Sequence, residues 1–319
     1  MKQYIGFDIG GTKCAVCAAE ADWIQNECRI IDRIQIPTGN RPWQKTLDSL
    51  TGAALTLIEK QQLHPAAAGI SCGGPLDSRT GVILSPPNLP GWDSVPAAEY
   101  IGAKLGIPAR LQNDANACTV AEWKFGAGKG CSNLIFLTFG TGLGAGLILD
   151  GRLYEGTNGL AGEAGHIRLA ENGPVGYGKE GSFEGFCSGG GIARIGCTLV
   201  QKARAAGQNS ALLALSDEEI TAKSIGAAAE NGDGLAREVY RISAEHLGKG
   251  IAMLIDLFNP ERIIIGSVFA RSEKLFRGPM EDAVRKEALP AAAAVCTIVP
   301  AALGDRIGDY AAVAAGAAG

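Results

Sequence analysis

Charge is scarce in this sequence, and neither sign prevails. Lys and Arg number 29 against 33 Asp and Glu, a formal net charge of −4, and charged residues make up 19% of the chain. A balance so near neutral gives no electrostatic reason to expect DNA, RNA or an anionic membrane as partner. A secretory leader is also missing: Met1-Lys2 runs straight into the strand-like segment Tyr4–Ile9, which is too short for the apolar core of a signal. Without one, nine cysteines, an odd number, argue for free thiols in a reducing cytoplasm rather than disulfides. Membrane-length apolar runs are lacking too. Cys131–Leu149 carries no charge over 19 residues, but Gly140, Gly142, Gly144 and Gly146 interrupt it and Asp150-Gly151 ends it. It reads as two buried strands around a turn, not a membrane span. No low-complexity tract and no Gly-X-Y period occurs, which excludes linker and collagen.

What is plentiful is apolar residues and glycine. A 46% hydrophobic content over 319 residues suffices for a sizeable core and about two domains. Glycine, at 45 residues, is roughly twice as common as usual. Seventeen of those glycines lie within residues 140–191. The excess therefore belongs to particular turns, and those turns are where chemistry is sought.

Two apolar runs around Gly10-Gly11-Thr12-Lys13 predict a hairpin, with a third strand at Cys28–Ile36. Trp43, Leu47, Leu50, Ala54 and Leu57 recur at helical spacing and predict a helix over about 42–62. Strands are expected at Ala68–Cys72 and Ala109–Gln112, and helices at Pro96–Leu105 and Ala115–Phe125. The second half repeats this opening: Asn133–Phe139, the turn Gly140-Thr-Gly-Leu-Gly144, then Ala145–Leu149. Leu247, Ile251, Leu254, Ile255 and Phe258 mark a helix stopped by Asn259-Pro260. Strands Arg262–Ile265 and Val295–Val299 follow, with a closing Ala-rich helix over Asp305–Ala318. Each half reads strand-strand-strand, helix, strand, helix, strand, helix, an internal duplication. Mixed sheets flanked by helices follow, an α/β fold with a ligand cleft expected between the halves. The expected lobes are 1–117 completed by 303–319, and 118–302.

Asp8 ends a buried strand immediately before the first glycine turn. Glycines there let backbone N–H groups approach a phosphate closely, and Asp8 could orient Mg²⁺ or its water. An ordinary hairpin with a turn-capping Asp fits the same residues. The second glycine hairpin tips the balance, because two such turns facing one cleft can clamp a polyphosphate. Rival phosphate motifs fit worse. A Walker A reading of Gly128-Lys129 meets Trp123 and Gly130 where Gly and Ser/Thr belong. A dinucleotide fingerprint at Gly140–Ala145 is followed by a strand instead of the required helix. Cys14-x-x-Cys17 sits on a strand, where an odd separation sends the side chains to opposite faces, so buried structural cysteine is the better reading. Asn113-Asp114-Ala-Asn116 closes a strand and opens a helix. It reads equally as a helix N-cap or as a general base for a substrate hydroxyl.

These motifs together resemble a sugar kinase of the ROK family (repressor, open reading frame, kinase), within the actin/hexokinase-like, ribonuclease H-like ATPase superfamily. The resemblance runs over essentially the whole chain. Asp8–Lys13 resembles the family's first phosphate motif and Gly140–Gly144 its second. Gly156-Thr-Asn-Gly-Leu-Ala-Gly-Glu163-Ala-Gly-His166 resembles the signature loop, the most specific match. The resemblance implies Asp114 as catalytic base. It implies phosphate and nucleotide contacts at Asp8, Gly10, Gly11, Thr12, Lys13, Gly140, Thr141, Gly142, Gly144 and Gly266. Sugar contacts are implied at Gly74, Asn88, Asn113, Asp114, Glu163, His166 and Glu184. Asn and carboxylate side chains suit hydroxyls that both donate and accept. A satisfied structural histidine is the other reading of His166, but its place inside the signature, as one of only three histidines, favours the site.

Two departures stand out. Zinc-bearing members carry three cysteine ligands shortly after the signature His, and here the aligned residues are Val175, Tyr177 and Ser182. These are poor zinc ligands, so no structural zinc is expected, with apolar packing and hydrogen bonds holding His166 and Glu184 instead. At Gly266-Ser267 the family usually has a glycine pair beside adenosine.

The expected activity is ATP- and Mg²⁺-dependent phosphorylation of the primary 6-hydroxyl of a hexose, glucose first, with N-acetylmannosamine and N-acetylglucosamine as alternatives. A catalytically weak sugar-binding or regulatory protein is the alternative of another class. The family's repressors carry an N-terminal DNA-binding segment, for which a phosphate strand beginning at Tyr4 leaves no room. A cytoplasmic homodimer binding sugar and nucleotide, with neither nucleic acid nor membrane as partner, is what the resemblance suggests.

Overall fold

The computed structural model of this chain describes residues 1–39 and 41–317. Ala318, the last residue of the expected closing helix, and Gly319, the end of the expected first lobe, lie outside the described residues. The chain packs into two compact units. One comprises 1–131, 146–161 and 302 onward; the other comprises 132–145 and 162–301. The segments 118–131 and 146–161, which the sequence reading placed in the second lobe, thus pack with the first.

In the first unit β1 (Lys2–Ile9), β2 (Lys13–Asp22) and β3 (Glu27–Pro37) form an antiparallel meander. Helix α1 (Trp43–Gln61) follows, burying Leu47, Leu50, Ala54 and Leu57 on one stripe. It stops where Gln62 turns left-handed. Next come β4 (Ala67–Cys72), the small hairpin β5 (Leu76–Asp77) and β6 (Val82–Ile83), α2 (Ala97–Leu105), β7 (Ala109–Asn113) and α3 (Asp114–Phe125). The sheet order is β3-β2-β1-β4-β7, with β4 and β7 parallel to β1.

The second unit begins with β8 (Leu134–Phe139) and the start of β9 (Leu143–Leu149); the end of β9 and β10 (Arg152–Leu153) belong to the first unit. A two-stranded ribbon, β11 (Val175–Gly176) and β12 (Lys179–Glu180), leads to the single turn α4 (Phe183–Phe186). Then follow α5 (Gly189–Ala205), α6 (Ala222–Glu230), α7 (Gly234–Phe258), β13 (Arg262–Ile265), α8 (Val268–Glu287), α9 (Pro290–Ala293) and β14 (Thr297–Pro300). This sheet runs β10-β9-β8-β13-β14, the same order as the first. The duplication inferred from the sequence is therefore real at the level of topology. The chain ends in a 3-10 turn at Gly304–Arg306 and α10 (Ile307–Ala317). Among the described residues no helix is long and apolar enough to cross a membrane.

Alternation along β1 divides the first unit's core. Ile5, Phe7 and Ile9 face the large cluster built with α1 and α2, while Tyr4, Gly6 and Asp8 face the other side. On that side α10 lies almost directly on the sheet backbone. A methyl group at Gly69 would stand 2.0 Å from the Ala312 carbonyl oxygen and 2.3 Å from the Gly316 nitrogen. One at Gly6 would stand 2.7 Å from Cys17 Sγ. Ala311, Ala312, Val313 and Ala314 complete this small-residue contact, each fully buried. Glu122 on α3, also fully buried, fastens the approach to α10 by accepting hydrogen bonds from the N–H groups of Ala302, Leu303 and Ala127.

The second unit's core is aromatic. Phe276 of α8 meets Phe139, Tyr240 and Phe269 at ring centroid distances of 5.3, 5.1 and 5.7 Å. Phe183 of α4 packs against α7 where Gly250 leaves room: a methyl there would be 2.3 Å from its ring.

Gly69→Ala should destabilise the protein by about 3 kcal/mol, because helix backbone on its far side cannot yield. Gly52→Ala, on α1 where nothing lies within 4 Å, should instead add up to about 1 kcal/mol. Urea unfolding of both variants checks this; an unchanged midpoint for Gly69→Ala would refute the close-packing account.

Candidate active site

In the first unit the turn between β1 and β2 is closed by a hydrogen bond from Gly10 N–H to the Lys13 carbonyl, 3.2 Å. Thr38 braces it from β3, its hydroxyl donating to the Gly10 carbonyl at 2.6 Å. Gly11 is needed for contact: a methyl there would lie 2.4 Å from the backbone oxygen of Asn88. That approach brings the segment carrying Asn88 against the turn, while Thr12 and Lys13 stay exposed at its tip.

Asn88 and Asp114 meet around Gly73. Asn88 Nδ2 and Asp114 Oδ2 lie 3.6 and 3.8 Å from where a side chain on Gly73 would begin. Asn113 Nδ2 stands in the same relation to Gly74, at 3.4 Å. Asn88, Asn113, Asp114 and Gly74, predicted separately from three stretches of sequence, are thus neighbours. Of the two readings of this segment, the N-cap role falls to Asn113, which leaves the Asp114 carboxylate free of that duty. Asn113 is the N-cap, accepting from the N–H groups of Ala115 and Asn116. Asp114 is left with Oδ1 on the Ala115 N–H and Oδ2 turned toward Gly73. Its carboxyl is reachable from solvent yet ringed by protein, and that desolvation raises its pKa above the usual carboxylate range, against the pull of the Ala115 N–H.

Asp8 sits under the N-terminal turn of α10, where a methyl at Gly308 would be 2.4 Å from Oδ2. Its pKa is pushed up to about 6, first by burial, then by the negative charges of Asp309 and Asp114. Arg33 and Lys13 pull the other way, but Arg33 is committed to Asp309 through a 2.8 Å ion pair. Neither Asp309 nor Arg33 was singled out in the sequence, because their pairing spans 276 residues.

In the second unit the β8–β9 turn closes with Gly140 N–H on the Gly142 carbonyl. Gly144 N–H rests on the Thr138 hydroxyl, and the Gly140 carbonyl accepts from Gly189 N–H at the start of α5. Thr141 is exposed at the tip. Glu184 reaches this turn: its Oε2 accepts from the Leu143 N–H at 3.0 Å, a role the sequence did not suggest. Gly142 and Gly165 permit that approach, since methyl groups there would meet Glu184 Oε2 at 2.7 Å and the Leu143 carbonyl at 2.1 Å. Glu163 precedes and His166 ends the short 3-10 turn Ala164–His166, and both are exposed.

The family profile of ROK proteins matches residues 4–317. The chain belongs to the ROK family. It is 34% identical over 289 residues to the glucokinase of Streptomyces coelicolor, covering 88% of this chain and 87% of that protein. Among solved structures, a ROK family glucokinase from Streptomyces griseus in complex with glucose and AMPPNP is 31% identical, with a TM-score of 0.79 over 99% of this chain and 100% of that one. A ROK hexokinase from Thermus thermophilus, 26% identical, superposes with a TM-score of 0.81 over 99% of this chain and 98% of that one. The α/β, actin/hexokinase-like fold of the ROK sugar kinases is therefore the fold of this chain.

The stretch where some ROK proteins hold zinc is organised here by hydrogen bonds. Ser182, fully buried, donates to the Gly176 carbonyl and caps α4 by accepting from Gly185 N–H. Lys179 donates to the His166 carbonyl at 2.8 Å, and Arg168 to that of Glu180 at 2.7 Å. Apolar packing enters through Phe183 and Phe186 on either side of Glu184, the latter stacked on His246 at 3.6 Å. Val175 and Tyr177 take no part in a core, at 47% and 72% exposure. At the other departure, Ser267 adopts φ 56°, ψ −111°, a backbone region that glycine enters without strain. The usual ROK glycine therefore has a conformational reason, and Gly266 N–H keeps its bond to the Leu137 carbonyl beside it.

Asp8 allows a pH test. Its folded pKa lies above the unfolded value of about 3.9, so its proton stabilises the ligand-free fold at low pH, and that stability is lost as pH rises through about 6. Asp8→Asn should therefore melt above wild type at pH 7.5, by on the order of 2 kcal/mol, with the gap closing toward pH 4. Calorimetry across that range decides it; a gap independent of pH would sink the assignment.

Proposed function

We propose that this chain transfers the γ-phosphoryl group of ATP to the primary hydroxyl of glucose. The observation that carries the reading is Asp114: a solvent-reachable carboxylate of raised pKa, fixed at the first turn of α3 beside Asn88, Asn113 and Gly74. Asp114 takes the hydroxyl proton while the sugar oxygen bonds to the γ-phosphorus and the bond to ADP breaks. Most of the acceleration comes from orientation and charge neutralisation, as in phosphoryl transfer generally. The turns at Gly10–Lys13 and Gly140–Gly144 supply N–H groups for phosphate oxygens, with Gly266 near the nucleoside. Asn88, Asn113, Glu163, His166 and Glu184 orient the sugar, and the Leu143 N–H bond makes Glu184 a brace between sugar and phosphate turn. The likeness to the Streptomyces griseus glucokinase bound to glucose and AMPPNP supports the choice of ligands.

The residues also suit Mg²⁺. Asp8 is raised by burial and by two neighbouring carboxylates, while the nearest guanidinium is already paired. A divalent cation beside Asp8 would offset that crowding, and when bound it supplies positive charge against the phosphates.

Asp114→Asn should lower kcat by about 10²–10⁴-fold while sugar binding by calorimetry changes little. For the unaltered protein kcat/KM should fall on the acid side as Asp114 protonates, above the usual carboxylate range. A coupled ATPase assay over glucose, N-acetylmannosamine and N-acetylglucosamine tests the substrate. Sugar binding without turnover on any of them would favour a regulatory protein.

We also propose that the segment from Val175 to Ser182 works without zinc, since the Ser182 hydroxyl is already spent on Gly176 and Gly185. Stoichiometric zinc in the purified protein, bound through His166, would overturn that.

A further inference from the structure

A cavity of about 850 Å³ opens in the first unit between α3, β7, the C-terminal half of α10 and the β5–β6 hairpin, lined by neither Asp8 nor Asp114. Its volume falls within the range that holds a drug-sized molecule. Much of its wall is small and apolar, from Ala109 and Val120 to Ala314 and Ala315. Two indoles, Trp23 and Trp123, also line it.

Its charged groups are unbalanced. Arg79, Arg110 and Lys124 line the cavity against one carboxylate, Glu155, in a chain whose net charge is −4. Glu155 is already engaged, accepting from the Ser78 hydroxyl and the Gln112 amide at 3.1 Å each. Arg110 donates to the Gly316 carbonyl and Arg79 to that of Thr157. Lys124 is different. Its ammonium lies over the Trp123 ring at 3.9 Å and the Trp23 ring at 5.4 Å. Among the described residues it meets no carboxylate and no hydrogen-bond acceptor. Burial lowers its pKa, so the half-buried cation is partly desolvated, with two aromatic faces beside it.

We propose that this cavity is a binding site for a small organic anion with a flat apolar body, its acidic head meeting Lys124 and its body lying among the indoles and small apolar side chains. A half-buried cation lacking a counter-ion gains from a carboxylate or phosphate head, and the apolar wall rewards a planar body by area. The site stands independently of the kinase reading. It adjoins the catalytic turn, however: Gln112, which holds Glu155, also accepts from the Asn113 N–H through its Oε1.

The probe is 2-naphthoate, with the neutral 2-naphthamide as its isostere. Both are titrated calorimetrically into the full chain saturated with glucose and a non-hydrolysable ATP analogue, so that the phosphate turns are occupied or, if those ligands do not bind, demonstrably unable to compete. The expected result is one saturable site that prefers the acid by about tenfold or more. Lys124→Met, which keeps the stem on the indoles, should reduce that preference to about twofold or less. Arg79→Gln, at an exposed position, gives a second variant should the first fail to fold, and should weaken only the acid. Absence of saturable naphthoate binding at millimolar concentration would overturn the proposal. So would equal affinity for acid and amide, or an acid preference unchanged in the variants.

Discussion

The contact on which the first unit depends is the approach of α10 to the backbone of β1 and β4. It is made by residues that have almost no side chain: Gly6 and Gly69 on the strands, Ala312 and Gly316 on the helix. Van der Waals attraction is short-ranged, so a separation fixed by backbone contact leaves little slack in position or angle. That fixed position sets Gly308 against Asp8 and brings the Asp309–Arg33 ion pair across β2 and β3. A larger residue at any of these points would lift the helix and with it the charge environment of Asp8. Glu122 of α3 reinforces the arrangement by holding the strand-to-helix connection before α10 through two N–H groups, those of Ala302 and Leu303.

The same economy recurs in the second unit. Gly142 and Gly165 let Glu184 reach the Leu143 N–H, while Gly250 lets Phe183 seat α4 on α7. The glycine excess therefore serves two purposes. Some glycines form turns, as at Gly140. Others are empty space into which a neighbouring group fits, and among those Gly308 and Gly142 make room for the carboxylates of Asp8 and Glu184. Ser267 is the exception, holding a glycine conformation at the cost of strain.

Much of the fold could be read from the sequence. Helix α1 showed itself because its buried stripe repeats every three or four residues. The β1–β2 and β8–β9 hairpins stood out because apolar runs flank glycine turns, and their recurrence revealed the duplication. Helices α5, α6 and α8 were not predicted from the sequence, although Ile192, Ile195 and Val200 of α5 and Phe269, Phe276 and Met280 of α8 line their buried faces. The strand expected at Val295–Val299 is shifted to Thr297–Pro300, because Val295 follows the short helix α9 and remains exposed. At the site, Asp8, Asn113, Asp114 and the glycine turns were legible as residue types at strand ends.

What the sequence by itself determined is the set of local choices: where strands end, where glycine permits a turn, where a helix can begin, and which family pattern those choices fit. What only tertiary structure decided is which side chains share an environment. Asp8, Asp309 and Arg33 come from three distant stretches, as do Gly73, Asn88 and Asp114, and likewise Leu143 and Glu184. Their charges and hydrogen bonds act over a few ångströms of space, whereas sequence patterns report only neighbours along the chain. The raised pKa of Asp114, the brace on the second turn and the placing of Lys124 over two indoles are therefore properties of packing.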